Sequence, residues 1–302
     1  MKHQPALLFN LLAICFFIIS CSDGDGALES KVREELAKTE GRFAVAFKDL
    51  STGDTLFINA DSVFHAASTM KTPVMAELFR QAAESKFSLT DSIVIKNEFK
   101  SIVDGSPYSL SRDSDSDTLI YERVGKKETI MNLMTDMIIV SSNLATNILI
   151  DLVGAKKVDS LLLSIGARNM HVLRGVEDTK AFEAGLNNTT SARGQLLLYE
   201  LIATSKLVDE KSSSEMIRVL SDQRFGEIIP ARLPKDVIIA HKTGSITGVQ
   251  HDGGIVLLPD GRKYILVLLS SKLIDREKGI ETMARVSELI YQHVTGQNSE
   301  VK

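Results

Sequence analysis

The sequence predicts an α+β protein with an antiparallel sheet, flanked by N- and C-terminal helices, and an inserted all-helical domain. β-Type runs occur near both ends of the chain, whereas residues 88–225 carry mainly helical patterns. Strands from both ends can share one sheet, so we expect a discontinuous sheet domain of residues 28–65 and 226–302. The helical domain then takes residues 66–225. A cleft is expected where the two domains meet, which is a frequent location for a substrate site.

The bulk composition is that of an ordinary globular protein. The chain has 302 residues, of which 44% are hydrophobic and 25% are charged, enough for a substantial core. A formal charge of −4 gives no electrostatic basis for binding nucleic acid. The sequence has no zinc-type Cys/His spacing, no phosphate-binding glycine loop and no repeats. We therefore expect a monomer that uses no cofactor and no metal.

The first 21 residues are typical of an export signal. The apolar stretch of residues 6–20 is short for a membrane span and ends in Ile-Ile-Ser-Cys at Cys21. That quartet resembles the lipobox of bacterial lipoproteins, which implies lipidation of Cys21. The polar residues 22–27 would form a flexible tether, and the domain would be lipid-anchored on the periplasmic side of a bacterial membrane or at the cell surface.

An ordinary secretory signal with an incidental cysteine is the alternative, although the A-x-A pattern of such a cleavage site is missing nearby. Cys15 lies in the segment that would be removed, so Cys21 would be the only remaining cysteine. The mature protein would then have no disulfide, although its compartment permits one. Its stability must come from its core.

The N-terminal elements have clear signals. Leu28, Val32 and Leu36 recur at i, i+4 and i+8, which predicts an amphipathic helix. Residues 42–50 and 55–59 are β-type runs joined by a Ser-Thr-Gly-Asp turn, so a hairpin is expected.

The later elements complete the predicted architecture. A helix is expected over residues 66–86, a surface loop over 104–117 and a closing helix over 276–293. Three strands are predicted near the C-terminus, at residues 237–240, 253–258 and 263–269.

A serine and a lysine at the start of the predicted 66–86 helix are the first candidate catalytic groups. Ser68 and Lys71 form an S-x-x-K at the start of this helix. Residues i and i+3 share one face of a helix, so the Lys71 amine can reach the Ser68 hydroxyl. The first turn also offers free N–H groups and the positive end of the helix dipole, which suits a serine that attacks a carbonyl. A simple helix cap is the ordinary alternative.

Two further motifs lie downstream. Ser141-Ser-Asn143 follows a very apolar helical run, and Lys242-Thr-Gly-Ser245 ends a predicted strand. Each has an ordinary interpretation, Asn143 as a local cap and Lys242 as a solvated strand end. Their combination and order instead indicate one site.

With these three motifs the chain resembles the class A β-lactamases and their penicillin-binding relatives, whose motifs are S-x-x-K, S-D-N and K-T-G. The resemblance covers nearly all of the chain after the tether. It implies a β-lactamase/transpeptidase-like fold and a serine hydrolase that opens the β-lactam amide through an acyl-enzyme on Ser68. The substrate would be a β-lactam or a peptidoglycan-derived compound.

The resemblance implies three catalytic roles in acylation. Ser68 is the nucleophile, Lys71 takes or relays its proton, and Ser141 passes a proton to the leaving nitrogen. Lys71 and Lys242, as two cations facing one small cleft, should lower the pKa of each other, which would help Lys71 act as a base.

The resemblance also implies the substrate-binding groups. Asn143 would hold a substrate amide, and Lys242 and Thr243 would bind the substrate carboxylate. The oxyanion hole would be formed by the backbone N–H groups of Ser68 and Ser245, with Gly244 between the threonine and that serine.

Two positions depart from the family pattern. Ser142 stands where the family usually has aspartate. The family carries Arg-x-Glu in the loop with the deacylating acid, but this chain has one more residue between Arg174 and Glu177. Glu177 is our candidate general base and Glu183 the reserve. In the alternative interpretation both are ordinary loop carboxylates, and Arg174 pairs with Asp178.

The departures leave competing functions open. If no carboxylate reaches the acyl ester, the protein would be a D-alanyl peptidase or esterase with slow deacylation. A non-catalytic penicillin-sensing or wall-binding lipoprotein is a more remote alternative. A Ser-His-Asp triad of His65 or His251 with Asp252 is disfavoured, because it would leave both lysines without a role.

Overall fold

The structure is a computed structural model and describes residues 23–296. The expected signal segment and its Cys21 lie outside these residues. The helices are α1 (Asp23–Leu36), α2 (Lys71–Ala83), α3 (Ile130–Ile139), α4 (Asn143–Val153), α5 (Ala155–Ser164), α6 (Thr179–Glu183), α7 (Ala192–Ala203), α8 (Glu210–Ser221) and α9 (Arg276–Thr295).

The strands are mostly short, except at the two ends of the chain. They are β1 (Arg42–Asp49), β2 (Thr55–Ile58), β3 (Phe64–His65), β4 (Ser92–Val94), β5 (Phe99–Lys100), β6 (Pro107–Tyr108), β7 (Lys127–Thr129), β8 (Thr189–Thr190), β9 (Ile238–Ile246), β10 (Val249–Leu257) and β11 (Lys263–Ser271).

A five-stranded antiparallel sheet joins the two ends of the chain in the order β2-β1-β11-β10-β9. Its register places Ala46 opposite Val267 and Gly253 opposite Lys242. The N-terminal hairpin and the three C-terminal strands therefore share one sheet, which confirms the predicted α+β fold class.

Alternation along β11 explains how this sheet is buried on both faces. Ile265 and Val267 belong to a large core with α2 and α7, whereas Leu266 and Leu268 belong to a second core with α1 and α9. Successive side chains of a strand point to opposite faces, so a strand covered on both sides reads as a continuous apolar run. Each such side chain contributes roughly 1.5–3 kcal/mol when it is fully buried.

Several boundaries differ from the sequence predictions. The strands predicted at residues 237–240 and 253–258 extend over Ile238–Ile246 and Val249–Leu257. Helix α1 begins at Asp23, so residues 23–27 belong to a helix rather than to a flexible tether. Leu28, Val32 and Leu36 are buried in the core shared with α9, and extending a nucleated helix by one turn costs little. The predicted 66–86 helix is a 3₁₀ turn, Ala67–Met70, followed by α2. No helix among residues 23–296 is both long enough and apolar enough to span a membrane.

Candidate active site

Ser68 lies in the 3₁₀ turn that leads directly into α2. The turn is set by Ala67, whose φ of +45° is unusual for a residue with a side chain, and by a 2.6 Å hydrogen bond from Thr69 Oγ1 to Ala66 O. Lys71 is the first residue of α2. The S-x-x-K spacing therefore spans the junction between the two kinds of helix.

The Lys71 amine is buried and bonds to the second motif. Its Nζ donates to Ser141 O at 2.7 Å, to Ser141 Oγ at 3.1 Å and to Asn143 Oδ1 at 2.8 Å. We expected Lys71 to reach Ser68 directly, but its hydrogen bonds in the structure go to these two residues. Ser141 has a φ of +59° just before α4 begins, which turns its carbonyl and hydroxyl toward the amine.

Lys242 approaches the same hydroxyl from the sheet. It is buried on β9, and its Nζ donates to Ser141 Oγ at 3.2 Å and to Thr243 O at 3.0 Å. The Ser141 hydroxyl thus lies between two lysines. The structure brings together the lysine of S-x-x-K, Ser141 and Asn143 of the second motif, and the lysine of K-T-G.

Burial governs the charge state of both amines. The pKa of Lys71 is held well below its usual range, first by burial and then by the charge of Lys242, while Asp115 opposes the change. Burial lowers the pKa of Lys242 to about 7, and Asp252 opposes that change. Repulsion between the lysines was the expected cause, but desolvation is the larger one.

The K-T-G motif can lie close to Ser68 because Gly244 has no side chain. A Cβ at this position would lie 3.1 Å from the backbone nitrogens of Ser68 and Thr69. Strand β9 can therefore pass directly beside the 3₁₀ turn. Ser245 follows, and both Ser68 and Ser245 line the two cavities of the cleft.

Two cavities flank Ser68. One, of about 380 Å³, is lined by residues that include Asn143, Glu177, Phe182 and Ile246. The other, of about 280 Å³, is lined by residues that include Ser141, Thr243, Gln250, Phe225 and Arg276. The cleft can therefore hold a molecule that extends to both sides of the reacting serine.

The loop after Arg174 is held by hydrogen bonds from the Arg174 side chain to backbone carbonyls of the loop. Arg174 donates from Nε to Leu186 O at 3.1 Å and from Nη1 to Gly175 O at 3.0 Å. Asp178 instead accepts from Ser101 Oγ at 2.8 Å. The two side chains thus bind separate partners and do not form the loop brace considered from the sequence.

Glu177, the candidate base, lines the larger cavity, but its carboxylate is bonded to the opposite rim. Oε2 accepts from Ser111 N at 3.1 Å and Oε1 from Ser114 Oγ at 2.8 Å. Its φ is +61°, a left-handed conformation that directs the side chain there. Glu183 is exposed at the end of α6.

Val176 stands beside this carboxylate and is held on both sides of its peptide. Its N donates to Asn147 Oδ1 at 2.6 Å, and its O accepts from Asn147 Nδ2 at 2.9 Å. Asn147 was not predicted from the sequence to be a site residue. The available signal was its position four residues after Asn143, on the same face of α4.

His65, His251 and Asp252 do not form the triad considered from the sequence. Asp252 pairs with His241, with 2.8 Å between Oδ1 and Nδ1. His251 lies with Nε2 2.9 Å from His65 O, and burial lowers its pKa to about 4. Among residues 23–296 there is no group of three or more His, Cys, Asp or Glu side chains that could hold a metal ion.

Comparisons with known proteins place the chain in a family. The profile of the "Beta-lactamase enzyme family" matches residues 27–294. Beta-lactamase VEB-1 of Pseudomonas aeruginosa is 24% identical, covering 95% of this chain and 98% of that protein. A beta-lactamase of Bacteroides uniformis is 26% identical over 79% of this chain and 82% of its own length.

Solved structures share the fold. The structure of PBP-A aligns with a TM-score of 0.77 at 25% identity and covers 89% of this chain and 96% of its own. A beta-lactamase from Chitinophaga pinensis aligns with a TM-score of 0.76 at 24% identity, covering 89% of this chain and 99% of that one.

Proposed function

The chain belongs to the beta-lactamase enzyme family, and from this premise we propose that it is a class A-like serine β-lactamase that forms an acyl-enzyme on Ser68. One observation carries the proposal. The Ser141 hydroxyl lies within hydrogen-bond distance of two buried amines, Lys71 and Lys242, and Ser141 lines one cavity together with Ser68. A binding site alone has no need of such an arrangement for moving a proton.

Acylation begins with a proton transfer. A neutral Lys71 amine takes the Ser68 hydroxyl proton, directly or through a relay, as the serine oxygen bonds to the lactam carbonyl carbon. The lowered pKa of Lys71 makes a neutral amine more accessible than it is for an ordinary lysine. The negative charge on the carbonyl oxygen is stabilised by the N–H groups of Ser68 and Ser245.

The second half of acylation breaks the carbon–nitrogen bond. The Ser141 hydroxyl gives its proton to the lactam nitrogen and recovers one from the Lys71 ammonium, 3.1 Å away. Lys242 and Thr243 bind the carboxylate that β-lactams carry, through a cation and a hydroxyl donor. Asn143, whose Oδ1 accepts from Lys71, offers its amide nitrogen to the substrate.

Intact-mass spectrometry over time tests this function. We expect a penicillin to add its full mass to the wild-type protein and not to Ser68→Ala. Ser214→Ala, an exposed serine change on α8, is the matched control and should acylate like the wild type. Absence of any adduct would overturn the proposed chemistry, and binding retained by Ser68→Ala would then favour a non-catalytic sensor.

A second candidate is a D-alanyl peptidase or esterase with slow deacylation, and one observation favours it. The Glu177 carboxylate bonds to Ser111 and Ser114, and Lys71 bonds to neutral partners. Deacylation needs a water activated close to the acyl ester, and an engaged carboxylate is poorly placed to activate it.

The lifetime of the adduct distinguishes the two candidates. For a β-lactamase with Glu177 as the base, the adduct disappears with turnover and Glu177→Gln prolongs it, whereas Glu183→Gln leaves it unchanged. For the second candidate the wild-type adduct persists, and neither change alters its lifetime. Nitrocefin turnover measured in parallel reports the same difference.

We further propose that Cys21 carries a lipid anchor. Support comes from the sequence, in which an apolar stretch ends in the lipobox-like Ile-Ile-Ser-Cys. Cys21→Ala should move the protein from the membrane fraction to the soluble fraction of exporting cells. A wild-type protein found only in the soluble fraction would contradict the anchor.

A further inference from the structure

The segment of residues 111–117 carries a buried acid that the catalytic scheme above does not use. Asp115 is 6% exposed, although its neighbours Ser114 and Ser116 are exposed. A buried carboxylate is costly unless it is hydrogen-bonded. Its position within an otherwise exposed loop therefore calls for partners inside the protein.

Those partners lie at the N-terminus of α4. The carboxylate accepts from Asn143 N at 2.9 and 3.0 Å and from Leu144 N at 2.9 Å. It also accepts from Tyr121 Oη at 3.1 Å and from Asp117 N at 3.1 Å. The first N–H groups of a helix have no partner within the helix and favour a negative charge. Asp115 thus fixes the end of α4 on which the second motif lies.

The contact chain continues to the reacting groups. Asn143 receives the carboxylate on its backbone nitrogen, while its side-chain Oδ1 accepts from Lys71 Nζ at 2.8 Å. Asp115 is therefore linked to the proposed base, Lys71, through one intervening residue, Asn143. A shift of Asn143 would displace both an acceptor of Lys71 and the amide offered to the substrate.

The presence of Ser142 in the second motif means that the negative charge near this motif comes from Asp115. It stands where the family motif has aspartate, and its own hydroxyl accepts from Ala145 N at 3.3 Å as a neutral cap. The motif itself thus contributes no charge in this chain. The carboxylate beside it comes from Asp115, 28 residues earlier than Asn143.

We propose, building on the function proposed above, that Asp115 is a positioning residue for acylation. It holds Asn143 and through it the hydrogen-bonded position of Lys71, and it supplies next to the motif the negative charge that Ser142 does not.

The charge of Asp115 also acts on the amine. The charged side chains that affect Lys71 are Lys242 on β9, which lowers its pKa, and Asp115, which raises it. Ser141 and Asn143, its hydrogen-bond partners, are neutral. Loss of the Asp115 charge should therefore lower the pKa of Lys71 further.

The test measures acylation by a penicillin across pH in wild type, Asp115→Asn and Asp113→Asn. Asp113 is exposed in the same loop, so its change removes an equal charge and serves as the matched control. For Asp115→Asn we expect acylation to slow by about 10- to 100-fold, because Asn143 shifts. A neutral Lys71 is the base, so the acidic limb of the profile should also move to lower pH.

The outcomes separate the inference from the proposed function. No acylation of the wild type contradicts the function itself. A wild type that acylates, with Asp115→Asn matching it in rate and profile, contradicts the inference. A slower rate with an unmoved acidic limb, or the same limb shift in Asp113→Asn, also overturns the role of the charge.

Asp115→Glu covers the case in which Asp115→Asn does not fold. It keeps the charge but lengthens the side chain, so the acidic limb should stay in place while the rate falls. A wild-type rate in this variant would contradict positioning by Asp115.

Discussion

A fully buried lysine has lost the solvation that keeps its amine charged in water. Lys71 and Lys242 are both in this state, and they meet at one hydroxyl, that of Ser141. Their roles nevertheless differ. Lys71 is bonded to groups of the helical region and follows the nucleophile by three residues, whereas Lys242 lies on the sheet with Thr243 beside it.

This difference predicts different kinetic defects. Lys71→Ala removes the base and should slow the acylation step by about 10²- to 10⁴-fold. Lys242→Ala removes a charge-assisted contact to the substrate carboxylate and should weaken binding by about 10- to 100-fold. Rapid-mixing acylation with a chromogenic substrate over a range of concentrations separates the two constants. Equal loss of both constants in the two variants would contradict the assignment.

At this scale, the sequence predicted the residues that belong to short motifs. Ser68 and Lys71 are three positions apart and Ser141 and Asn143 only two, whereas the meeting of these pairs with Lys242 was expected only from the family resemblance. Asp115 and Asn147 act through partners 28 and 29 residues away. No local pattern signals such contacts, and the polar run around Asp115 is equally typical of a solvated loop.

Among the elements, strand β9 matters most, because it presents Lys242 to the cleft. Its neighbour β10 lies close to it because Gly254 lacks a side chain. A Cβ at Gly254 would contact Ala240 O and would lie 2.6 Å from His241 Cβ. Backbone and buried groups on β9 cannot move aside without moving Lys242.

Gly254→Ala should therefore destabilise the protein by about 1–3 kcal/mol through overpacking and should slow acylation as well. Gly26→Ala is the contrasting change, because nothing lies within 4 Å of a Cβ on this exposed residue of α1. Alanine there should raise the free energy of unfolding by about 0.5–1 kcal/mol. Urea denaturation measures both changes. A Gly254→Ala variant with the wild-type free energy of unfolding would show that β9 can shift to make room for the added methyl group.

Long elements followed their sequence patterns, and very short ones did not. The helical interpretation of residues 88–225 missed the two-residue strand β8, which exists because Thr190 pairs with Phe64 of β3. Likewise, the expected surface loop contains β6, paired with β5. Such strands are defined by a distant partner rather than by periodicity.

For the whole molecule, the buried basic groups link stability to pH. Lys242 has a pKa of about 7 in the folded protein against an ordinary 10.5. Between these values the unfolded chain holds a proton that the folded one has released, so stability rises with pH. His251, with a pKa of about 4 against 6.5, acts in the same sense, and stability falls as pH drops through that range.

We therefore expect the free energy of unfolding to increase between pH 7 and pH 9, by at most about 1.4 kcal/mol per pH unit for one proton. Lys242→Met should flatten this rise. Urea unfolding of both proteins at several pH values measures it. Parallel curves for wild type and variant would show that the buried amine is not responsible.

The sheet order β2-β1-β11-β10-β9 has a consequence for synthesis. A nascent chain synthesised only as far as the end of α8 contains Ser68 but not Lys242 of β9. Its N-terminal hairpin also lacks strand β11, with which β1 pairs in the complete sheet. Catalysis can begin only when translation is nearly complete. If the protein is divided into two fragments within the largely exposed segment 222–227, each fragment alone should be inactive, and activity should return when the two fragments reassociate.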